Sequence, residues 1–350
     1  MAPGEVPAPG PEDLAESRSF LLEVEAAAKR CGVTRIGDIT RLDRLGLPVW
    51  QAIRPYGRAL SVHQGKGRTA IGARIGALCE AIESHAAETA PADGPFCRYE
   101  DLPDSVRLRD PDIYGRSRQS RSRDDPVQWC RAVDFVSGRE IFLPHPLVSL
   151  DLTSNLPSPF DRSSSGLGAA GDEEAAIHVA VRELVERDAQ GEWRRSALID
   201  QMEAAIDCDT IPFPWFRAWR RRFQALDIRL SAHALPSLGS MPVIACTIAG
   251  AGEFADSIRF FGGSAAHERP ETALFKAMAE AIQSRLTWIA GSRDDIYPEA
   301  YGHETGVIDL PALTVPGARP IDFAEIAPGP GRLRALADAL ADEGYDAIIF

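Results

Sequence analysis

Three long helical segments with the same arrangement of acidic side chains constrain this sequence more than any other feature. They are predicted over residues 68–88, 172–190 and 270–290. Their central strings are EAIE (80–83), ELVER (183–187) and EAIQSR (280–285). In each string two oxygen-bearing side chains stand three residues apart, so they share one helix face, while apolar residues occupy the opposite face. The sequence therefore predicts three amphipathic helices that each carry an acidic stripe.

Each of these helices follows a short polar segment that contains glycine. The segments are SVHQGKG (61–67), SSSGLGAAG (163–171) and FGGSAAH (261–267). Such segments can expose backbone N–H groups at a helix start, where phosphate oxygens bind well. Mg²⁺ prefers carboxylate and amide oxygens and shares ligands with phosphates, and Lys66 can place a positive charge on a phosphate. The pattern indicates an ATP and magnesium site, but acidic stripes are also the solvated faces of ordinary amphipathic helices, and both interpretations stay open at this point.

Charge and composition exclude several classes of protein. The 350 residues include 38 basic and 51 acidic side chains, a net charge of −13, which is a poor match to a nucleic-acid binder. No apolar run reaches about 18 residues, so we expect no membrane partner. The first residues carry acid and proline instead of a signal peptide, and the six cysteines form no Cys-x-x-Cys pair. These features predict a reduced, cytoplasmic protein.

The rest of the chain indicates an α+β protein in which mixed β-sheets pack with long helices. Residues 1–17 are predicted to be a disordered leader, and residues 18–350 one large domain with halves at about 18–145 and 146–295 and a segment at 296–350. Further helices are expected at 19–30 and 331–342, and an exposed arginine-rich loop at 100–126. The stretch 46–63 is expected to be a strand, and further strands are expected in a hairpin at 129–136 and 139–144, at 227–234, 242–249 and 257–262, and in the terminal GYDAIIF.

Two familiar nucleotide-binding motifs are absent or out of context. GLGAAG (166–171) satisfies G-x-G-x-x-G, but the preceding SNLPSPFDRSSS is not the buried strand that a dinucleotide fold requires. Gly65-Lys66 is followed by Gly67 instead of Ser or Thr, so no Walker A loop exists there. If ATP binds this chain, it does not bind through a standard P-loop.

The motifs together resemble the YcaO family. SSSGLGAAG with EEAAIHVAVRELVERDA, and FFGGSAAHERPETALFKAMAEAIQSRL, carry the resemblance, and RLDRLGLPVWQAIRP, SVHQGKG and ALCEAIE are similar to the amino-terminal half of the same domain. The resemblance covers about residues 34–295. It implies a YcaO-type domain that uses ATP and Mg²⁺ to activate a backbone amide of a ribosomally made peptide or protein. A nucleophile adds to the amide carbon, and the amide oxygen takes the γ-phosphate and leaves as phosphate. An internal Cys, Ser or Thr nucleophile gives an azoline, and an external sulfur source gives a thioamide.

The resemblance also implies roles for individual residues. It assigns six side chains to magnesium and ATP: Glu80, Glu83, Glu183, Glu186, Glu280 and Gln283. It assigns Lys66 and Arg285 to the phosphates as the catalytic candidates, while Arg187 could serve phosphate or pair with Glu183.

The sequence departs from the family pattern at three places. Gly76 stands where many relatives carry Ser, and Ser165 stands where Asn is common. The chain stops at GYDAIIF, where relatives usually continue, so a truncated C-terminal segment is expected over residues 296–350.

The resemblance further implies partners for the chain. RLDRLGLPVWQAIRP and SVHQGKG resemble members that work with a TfuA-type partner in thioamide formation. We expect a peptide or protein substrate and a TfuA-type or leader-binding partner protein, and a homodimer is compatible with this reading. The alternative is a non-catalytic YcaO-like scaffold or peptide-binding subunit of a modification complex. The retained acidic residues favour the enzyme and the abrupt end favours the scaffold, and Mg²⁺-dependent ATP binding would separate the two.

Overall fold

The computed structural model describes residues 18–108, 125–153, 160, 162–250, 260–297 and 319–350. The predicted leader and most of the predicted arginine-rich loop lie outside these residues. The longer helices are α1 (Arg18–Arg30), α2 (Ala70–Glu88), α3 (Glu173–Arg195), α4 (Pro214–Ala225), α5 (Pro270–Ala290) and α6 (Leu333–Asp342), with short helices at His145–Val148 and Leu198–Glu203. The strands are β1 (Arg35–Asp38), β2 (Val49–Ile53), β3 (Val62–Lys66), β4 (Phe96–Cys97), β5 (Val127–Asp134), β6 (Glu140–Pro144), β7 (Ile228–Leu235), β8 (Val243–Gly250), β9 (Phe261–Ala266) and β10 (Ile348–Ile349).

The strands form three antiparallel sheets. One has the order β1-β2-β3 and another the order β7-β8-β9, while β5 pairs with β4, β6 and β10 in the remaining sheet. The two meander sheets are alike, because in each the last strand leads directly into a long helix, β3 into α2 and β9 into α5. The α+β class that the sequence predicts is confirmed.

Helices cover both faces of the β7-β8-β9 sheet. On one face the apolar side chains of α4 and α5 form the largest core cluster, which includes Phe216 and Phe275. On the other face α3 and α6 pack against the sheet through Val185 and Leu336. All eight residues of β8 are consequently buried, and this sheet is the rigid base on which α3 and α5 sit.

Three glycines allow α2, α3 and α5 to pack closely against the strand or loop that precedes each of them. A Cβ atom on Gly65 of β3 would overlap backbone atoms of Ala73 and Ala77 in α2. Gly263 of β9 approaches α5 in the same way, and Gly168 approaches the backbone of α3. These glycines are therefore packing positions, where the absence of a side chain lets strand or loop lie directly on a helix.

The structure corrects the predictions in several places. The strand expected over 46–63 is two strands, β2 and β3, with residues 54–61 between them. The segments SVHQGKG and FGGSAAH were expected to expose backbone N–H groups at the starts of helices, but most of each segment is a strand, β3 and β9 respectively. Helix α4 was not predicted at all, although Pro214 in its first turn and the spacing of Trp215, Trp219 and Phe223 are a helical signal. Of the strand expected at 257–262, the part at 257–259 lies outside the described residues, and β9 begins at Phe261.

The remaining long elements agree with the sequence analysis to within a few residues at their ends. The longer helices predicted from periodicity appear as α1, α2, α3, α5 and α6, and the predicted hairpin appears as β5 and β6. The strand in GYDAIIF is β10, which pairs antiparallel with β5. Among the described residues, none of the helices combines the length and the hydropathy that crossing a membrane requires.

Candidate functional site

The acidic stripes of α2, α3 and α5 face a common region. Burial is the main cause of the raised pKa of Glu80, Glu83 and Glu186. Smaller contributions come from the charge of Glu183 on α3, which raises the pKa of Glu80 and Glu83 on α2, and from the charge of Glu280 on α5, which raises that of Glu186 on α3. One charge shifts the pKa of another group in this way only when the two groups lie near each other in a region of low dielectric. The structure thus brings together the five predicted glutamates, in one group of three and one group of two.

Backbone N–H groups hold the group of three. Glu80 Oε2 accepts a hydrogen bond from the Gln64 N–H at 2.7 Å, and Glu183 Oε2 accepts one from the Gly166 N–H at 3.0 Å. Glu83 accepts a hydrogen bond from the Ala169 N–H. The glycine-containing segments therefore direct backbone N–H groups at the carboxylates themselves, whereas the sequence analysis expected these groups to face phosphate.

Burial dominates the electrostatics of these carboxyl groups. It raises the pKa of Glu80, and together with the neighbouring Glu80 charge it raises the pKa of Glu83 from 4.5 to about 8. The ionised form is disfavoured because low dielectric and like charges both oppose it. Both effects therefore favour the protonated forms of Glu80 and Glu83.

The group of two lies where α3 and α5 meet β9. Glu186 Oε1 accepts hydrogen bonds from Ser264 Oγ at 2.5 Å and from Gln190 Nε2 at 3.0 Å. Glu280 Oε2 lies 3.2 Å from the Lys66 ammonium at the end of β3. Burial and the Glu280 charge raise the pKa of Glu186 to about 7. Lys66 also favours the ionised forms of Glu80 and Glu186, so it lies within reach of both groups.

The side-chain amide of Gln283 lies in the same region, and it is not fully hydrogen-bonded. Its Nε2 lies 3.5 Å from Gln64 Oε1, while Gln283 Oε1 and Gln64 Nε2 are buried and have no hydrogen-bond partner. Buried polar atoms without partners are uncommon in native proteins and mark positions where a ligand, ion or water supplies the missing contact. Gln64 was not a predicted site residue, and only its place on β3 opposite Gln283 reveals it.

Lys276 is a second residue that the sequence analysis did not assign. It is exposed to solvent, and desolvation together with the nearby charges of Arg182 and Lys66 lowers its pKa. Its place one turn before Glu280 on α5 was the available signal in the sequence.

The two candidate arginines are both engaged in ion pairs. Arg187 Nη2 lies 3.3 Å from Glu183 Oε1, the pairing that the sequence left open. Arg285 Nε lies 2.8 Å from Asp43 Oδ2, in a pair that is largely buried. The assignment of Arg285 to phosphate stays a prediction, since the structure shows its guanidinium held by Asp43.

The residues present suit Mg²⁺ and a triphosphate. The donors are oxygen atoms of carboxylates and an amide, which hard cations prefer, and Lys66 and Lys276 stand beside them for anionic oxygens. Within the described residues, no three His, Cys, Asp or Glu side chains are arranged to hold a metal ion by themselves. Mg²⁺ bound here would therefore complete its coordination with phosphate oxygens and water, as is usual for this ion.

Known proteins share both sequence and fold with this chain. A protein of Rhizobium leguminosarum bv. trifolii, described as lying in the tfuA 3′ region, is 33% identical over 276 residues, which cover 77% of this chain and 66% of the relative. A protein of Methanothermobacter thermautotrophicus is 31% identical over 274 residues, which cover 75% of this chain and 68% of the relative. The chain thus spans about two thirds of the length of these curated relatives.

Solved structures show the same fold at lower sequence identity. A heterocyclase in complex with substrate and cofactor superposes with a TM-score of 0.72 at 18% identity, covering 92% of this chain and 49% of that chain. YcaO from Methanopyrus kandleri, bound with AMPPCP and Mg²⁺, superposes with a TM-score of 0.63 at 20% identity, covering 93% of this chain and 83% of that chain. The family model described as YcaO cyclodehydratase, ATP- and Mg²⁺-binding, matches residues 64–350. Because this match extends over most of its length, the chain belongs to the YcaO family of ATP- and Mg²⁺-binding proteins.

Proposed function

We propose that this chain uses ATP and Mg²⁺ to activate a backbone amide of a ribosomally made peptide or protein by O-phosphorylation, leading to a thioamide or an azoline. The observation that carries the proposal is the convergence of five glutamates from three helices, beside Lys66 and Lys276, in a member of the YcaO family. The heterocyclase with bound substrate and cofactor, which shares this fold, supports the same class of reaction.

In this proposal the two groups of carboxylates bind magnesium. Glu80, Glu83 and Glu183 form one set of oxygen ligands, and Glu186 with Glu280 forms the other. When bound, ATP would supply the phosphoryl group, and Mg²⁺ would offset the negative charge of the phosphate oxygens. The raised pKa values mean that the site loses protons as it takes up cations, so affinity rises with pH. Gln283 Oε1, buried without a partner, supplies a further oxygen.

The lysines act on the anionic oxygens. Lys66 is held beside the metal ligands by Glu280 and, with Lys276, stabilises the charge that develops on the phosphoryl oxygens. The nucleophile adds to the amide carbon, and the amide oxygen then forms a bond to the γ-phosphorus while ADP leaves. The carbon–oxygen bond breaks next, phosphate departs, and the carbon retains the nucleophile. Phosphorylation is needed because the amide oxygen is a poor leaving group.

Nucleotide binding tests the site. We expect Glu183→Ala and Glu280→Ala to abolish Mg²⁺-dependent ATP binding in calorimetry, with unchanged circular dichroism. Glu192→Ala is the matched control, because Glu192 lies on the same helix, α3, as Glu183. Its side chain is 61% exposed, and within the described residues it forms an ion pair with Arg195 alone. Normal ATP binding by both site variants would show that the site is misplaced.

Oxygen isotopes test the chemistry. With a candidate peptide substrate and water enriched in ¹⁸O, phosphate formed through the amide oxygen carries no water oxygen, whereas phosphate from simple ATP hydrolysis carries one. We expect peptide-dependent phosphate without ¹⁸O. A chain that binds ATP but releases no peptide-dependent phosphate would be the scaffold alternative.

The sulfur source and partner belong to the same proposal. The relative in the tfuA 3′ region supports a TfuA-type partner that delivers sulfur, and hence the thioamide product. Mass spectrometry of the peptide separates the products, because a thioamide replaces oxygen by sulfur and an azoline loses water. Thioamide formation only when a TfuA-type protein and a sulfide source are present is the expected result, and an azoline without them would contradict it.

A further inference from the structure

The loop at residues 291–296, which we call the return loop, connects the end of α5 to the β1-β2-β3 sheet. Helix α5 ends at a glycine in the left-handed conformation, with a φ of 56°, which turns the chain. Ser292 Oγ then accepts a hydrogen bond from Gln51 Nε2 on β2 at 2.6 Å. Asp294 Oδ2 accepts one from the Ser61 N–H, just before β3, at 3.0 Å. Two hydrogen bonds therefore fasten the return loop to the sheet.

Arg293 lies between these two attachment points, beside the group of three carboxylates. Gln51 pairs with Gln64 on β3, and the Gln64 N–H donates to Glu80, so the return loop passes close to that carboxylate. Burial raises the pKa of Glu80, and among the charges that oppose this rise the effect of Arg293 is larger than that of Lys66. Arg293 is therefore a cation of the candidate site itself, on the side of Glu80.

The guanidinium of Arg293 is hydrogen-bonded along one edge only. Its Nε lies 2.8 Å from Asp295 Oδ1, and its Nη2 lies 2.5 Å from Asp295 Oδ2. Within the part of the chain that the structure describes, this aspartate is the sole partner of the guanidinium, so Nη1 has none. The Arg293 side chain is 25% exposed. An arginine held along one edge by a carboxylate presents its remaining N–H groups in a fixed direction.

Arg293 is more accessible to an anionic ligand than Arg285 is. Arg285 is held in the same way by Asp43, but that carboxylate is only 5% exposed, whereas Asp295 is 44% exposed. The Arg285 pair is therefore enclosed by protein, and the Arg293 pair is open to solvent. An anion can consequently reach Arg293 without disrupting a buried ion pair, which would be costly.

We propose that Arg293 contacts a phosphate oxygen of the nucleotide on the side of the site formed by Glu80, Glu83 and Glu183. The inference rests on the proposed function for the identity of the nucleotide. Because protein-bound Mg²⁺ takes substrate phosphates as further ligands, a cation beside Glu80 is placed to meet a phosphate oxygen. The planar guanidinium suits this contact, since its N–H groups match the geometry of phosphate oxygens.

Calorimetric titration with Mg²⁺·ATP tests the contact. Arg293→Gln is expected to weaken ATP binding about tenfold or more, because a hydrogen bond between charged groups is lost. Arg293→Lys keeps the charge without the planar fork, so we expect an intermediate affinity. Parent-like binding by Arg293→Gln, or binding by Arg293→Lys that is no tighter than that of Arg293→Gln, would overturn the proposal.

Arg220→Gln is the matched control for these variants. It removes a partly exposed arginine that is likewise paired with a nearby aspartate, since Arg220 Nη1 lies 2.6 Å from Asp209 Oδ1. Arg220 lies on α4, which carries none of the proposed ligands. We expect this variant to bind ATP like the parent, and a loss as large as that of Arg293→Gln would mean that the effect is not specific to the site.

Asp295→Asn separates a phosphate contact from a structural role of the ion pair. The variant weakens the hold on the return loop but leaves the guanidinium in place, so its ATP affinity should stay close to that of the parent. Equal losses in Asp295→Asn and Arg293→Gln would show that Arg293 only holds the loop, and the proposal would fail. Melting temperatures without nucleotide report whether each variant is folded, and Arg293→Lys, which can keep the ion pair, carries the comparison if Arg293→Gln unfolds.

A probe without a nucleoside locates the contact on the ligand. Mg²⁺·tripolyphosphate carries the three phosphates but no adenosine, and its affinity is measured by competition with ATP. We expect Arg293→Gln to weaken tripolyphosphate and ATP by the same factor. An unchanged affinity for tripolyphosphate would place Arg293 at the nucleoside and would contradict the proposal.

The failure of this inference is distinguishable from the failure of the proposed function. If the parent binds ATP and forms peptide-dependent phosphate while Arg293→Gln binds ATP normally, only the role of Arg293 fails. If Arg293→Gln loses ATP affinity but the parent forms no peptide-dependent phosphate, Arg293 is a nucleotide contact and the proposed function fails. A parent that does not bind Mg²⁺·ATP contradicts both.

Discussion

At the scale of single residues, the site is a set of carboxyl groups held in environments that oppose their ionisation. Burial and like charges raise the pKa of Glu83 to about 8 and that of Glu186 to about 7. Between the ordinary pKa of 4.5 and these values, the folded chain keeps protons that the unfolded chain releases. Stability therefore falls as the pH rises through this window, and the loss is complete above about pH 8.

A neutral replacement of Glu83 removes part of this pH dependence. Glu83→Gln should unfold with nearly the parent's free energy at pH 4.5, where the folded parent is protonated, and be more stable by about 2 kcal/mol at pH 8.5. Urea titrations at the two pH values measure the difference. The exposed Glu192→Gln serves as the control and should change neither value. A Glu83→Gln variant that gains nothing at pH 8.5 would show that Glu83 is not held in a proton-retaining environment.

At the scale of elements, a strand or loop presses a glycine onto each functional helix. Gly65 of β3 packs against α2, and Gly263 of β9 packs against α5 in the equivalent place. Gly168 packs against α3 in the same way. The close approach is what lets the Gln64 and Gly166 N–H groups reach Glu80 and Glu183. Packing at this level therefore sets the hydrogen bonds at the residue level.

Adding one methyl group to β3 should separate it from α2. Gly65→Ala forces overlap with the backbone of Ala73 and Ala77, and we expect it to cost about 1–3 kcal/mol of unfolding free energy and to weaken ATP binding, since Lys66 shifts with the strand. Gly76→Ser is the matched control on the facing helix. Its added Cβ would lie 3.4 Å from the Gly65 Cα, an ordinary contact, so parent-like stability is expected. Denaturant titration and calorimetry compare the two, and an unimpaired Gly65→Ala would refute the tight strand–helix contact.

At the scale of the whole molecule, the site exists only because the two halves of the sequence interlock. Arg285 in the second half pairs with Asp43 in the first, and the two side chains are 16% and 5% exposed. Gln51 Nε2 donates to Ser292 Oγ at 2.6 Å across the same boundary, and Lys66 reaches Glu280. The halves predicted from the sequence therefore share contacts that either half alone would lack.

The Asp43–Arg285 pair should be energetically coupled. Removing one partner leaves a largely buried charge, so Asp43→Ala and Arg285→Met should each destabilise the fold by about 3–5 kcal/mol, and the double variant by clearly less than the sum. Unfolding free energies of the four proteins form the double-mutant cycle. Additive losses would mean that the pair does not hold the halves together.

Arg285→Met compared with a further variant, Asp43→Asn, decides what Arg285 does. If Arg285 binds phosphate as the family resemblance implies, Asp43→Asn retains ATP affinity while Arg285→Met loses it. If Arg285 only holds the two halves together through its ion pair with Asp43, the two variants lose ATP affinity to the same extent. Calorimetry with Mg²⁺·ATP distinguishes these outcomes.

Local patterns carried much of the prediction. The period of about 3.6 residues placed α2, α3 and α5, and the spacing of Glu80, Glu83, Glu183, Glu186, Glu280 and Gln283 put each pair on one helix face. Helix α4 has a comparable apolar period, so it was predictable from the sequence although it was not predicted. Gln64 was missed for a different reason, because its importance depends on Gln283, which is far away in the sequence. Lys276 lies one turn before Glu280 and could have been found from the helix period.

Contacts between distant segments are what the folded chain adds to these patterns. A sequence shows which side chains share a helix face, since helical geometry repeats locally, and together with the family resemblance that was enough to predict ATP and Mg²⁺. It does not show that SVHQGKG becomes a strand, that Arg285 faces Asp43, or that Glu183 accepts the Gly166 N–H, because these depend on how sheets and helices pack. The raised pKa values arise at the same level, because burial is a property of the packed chain.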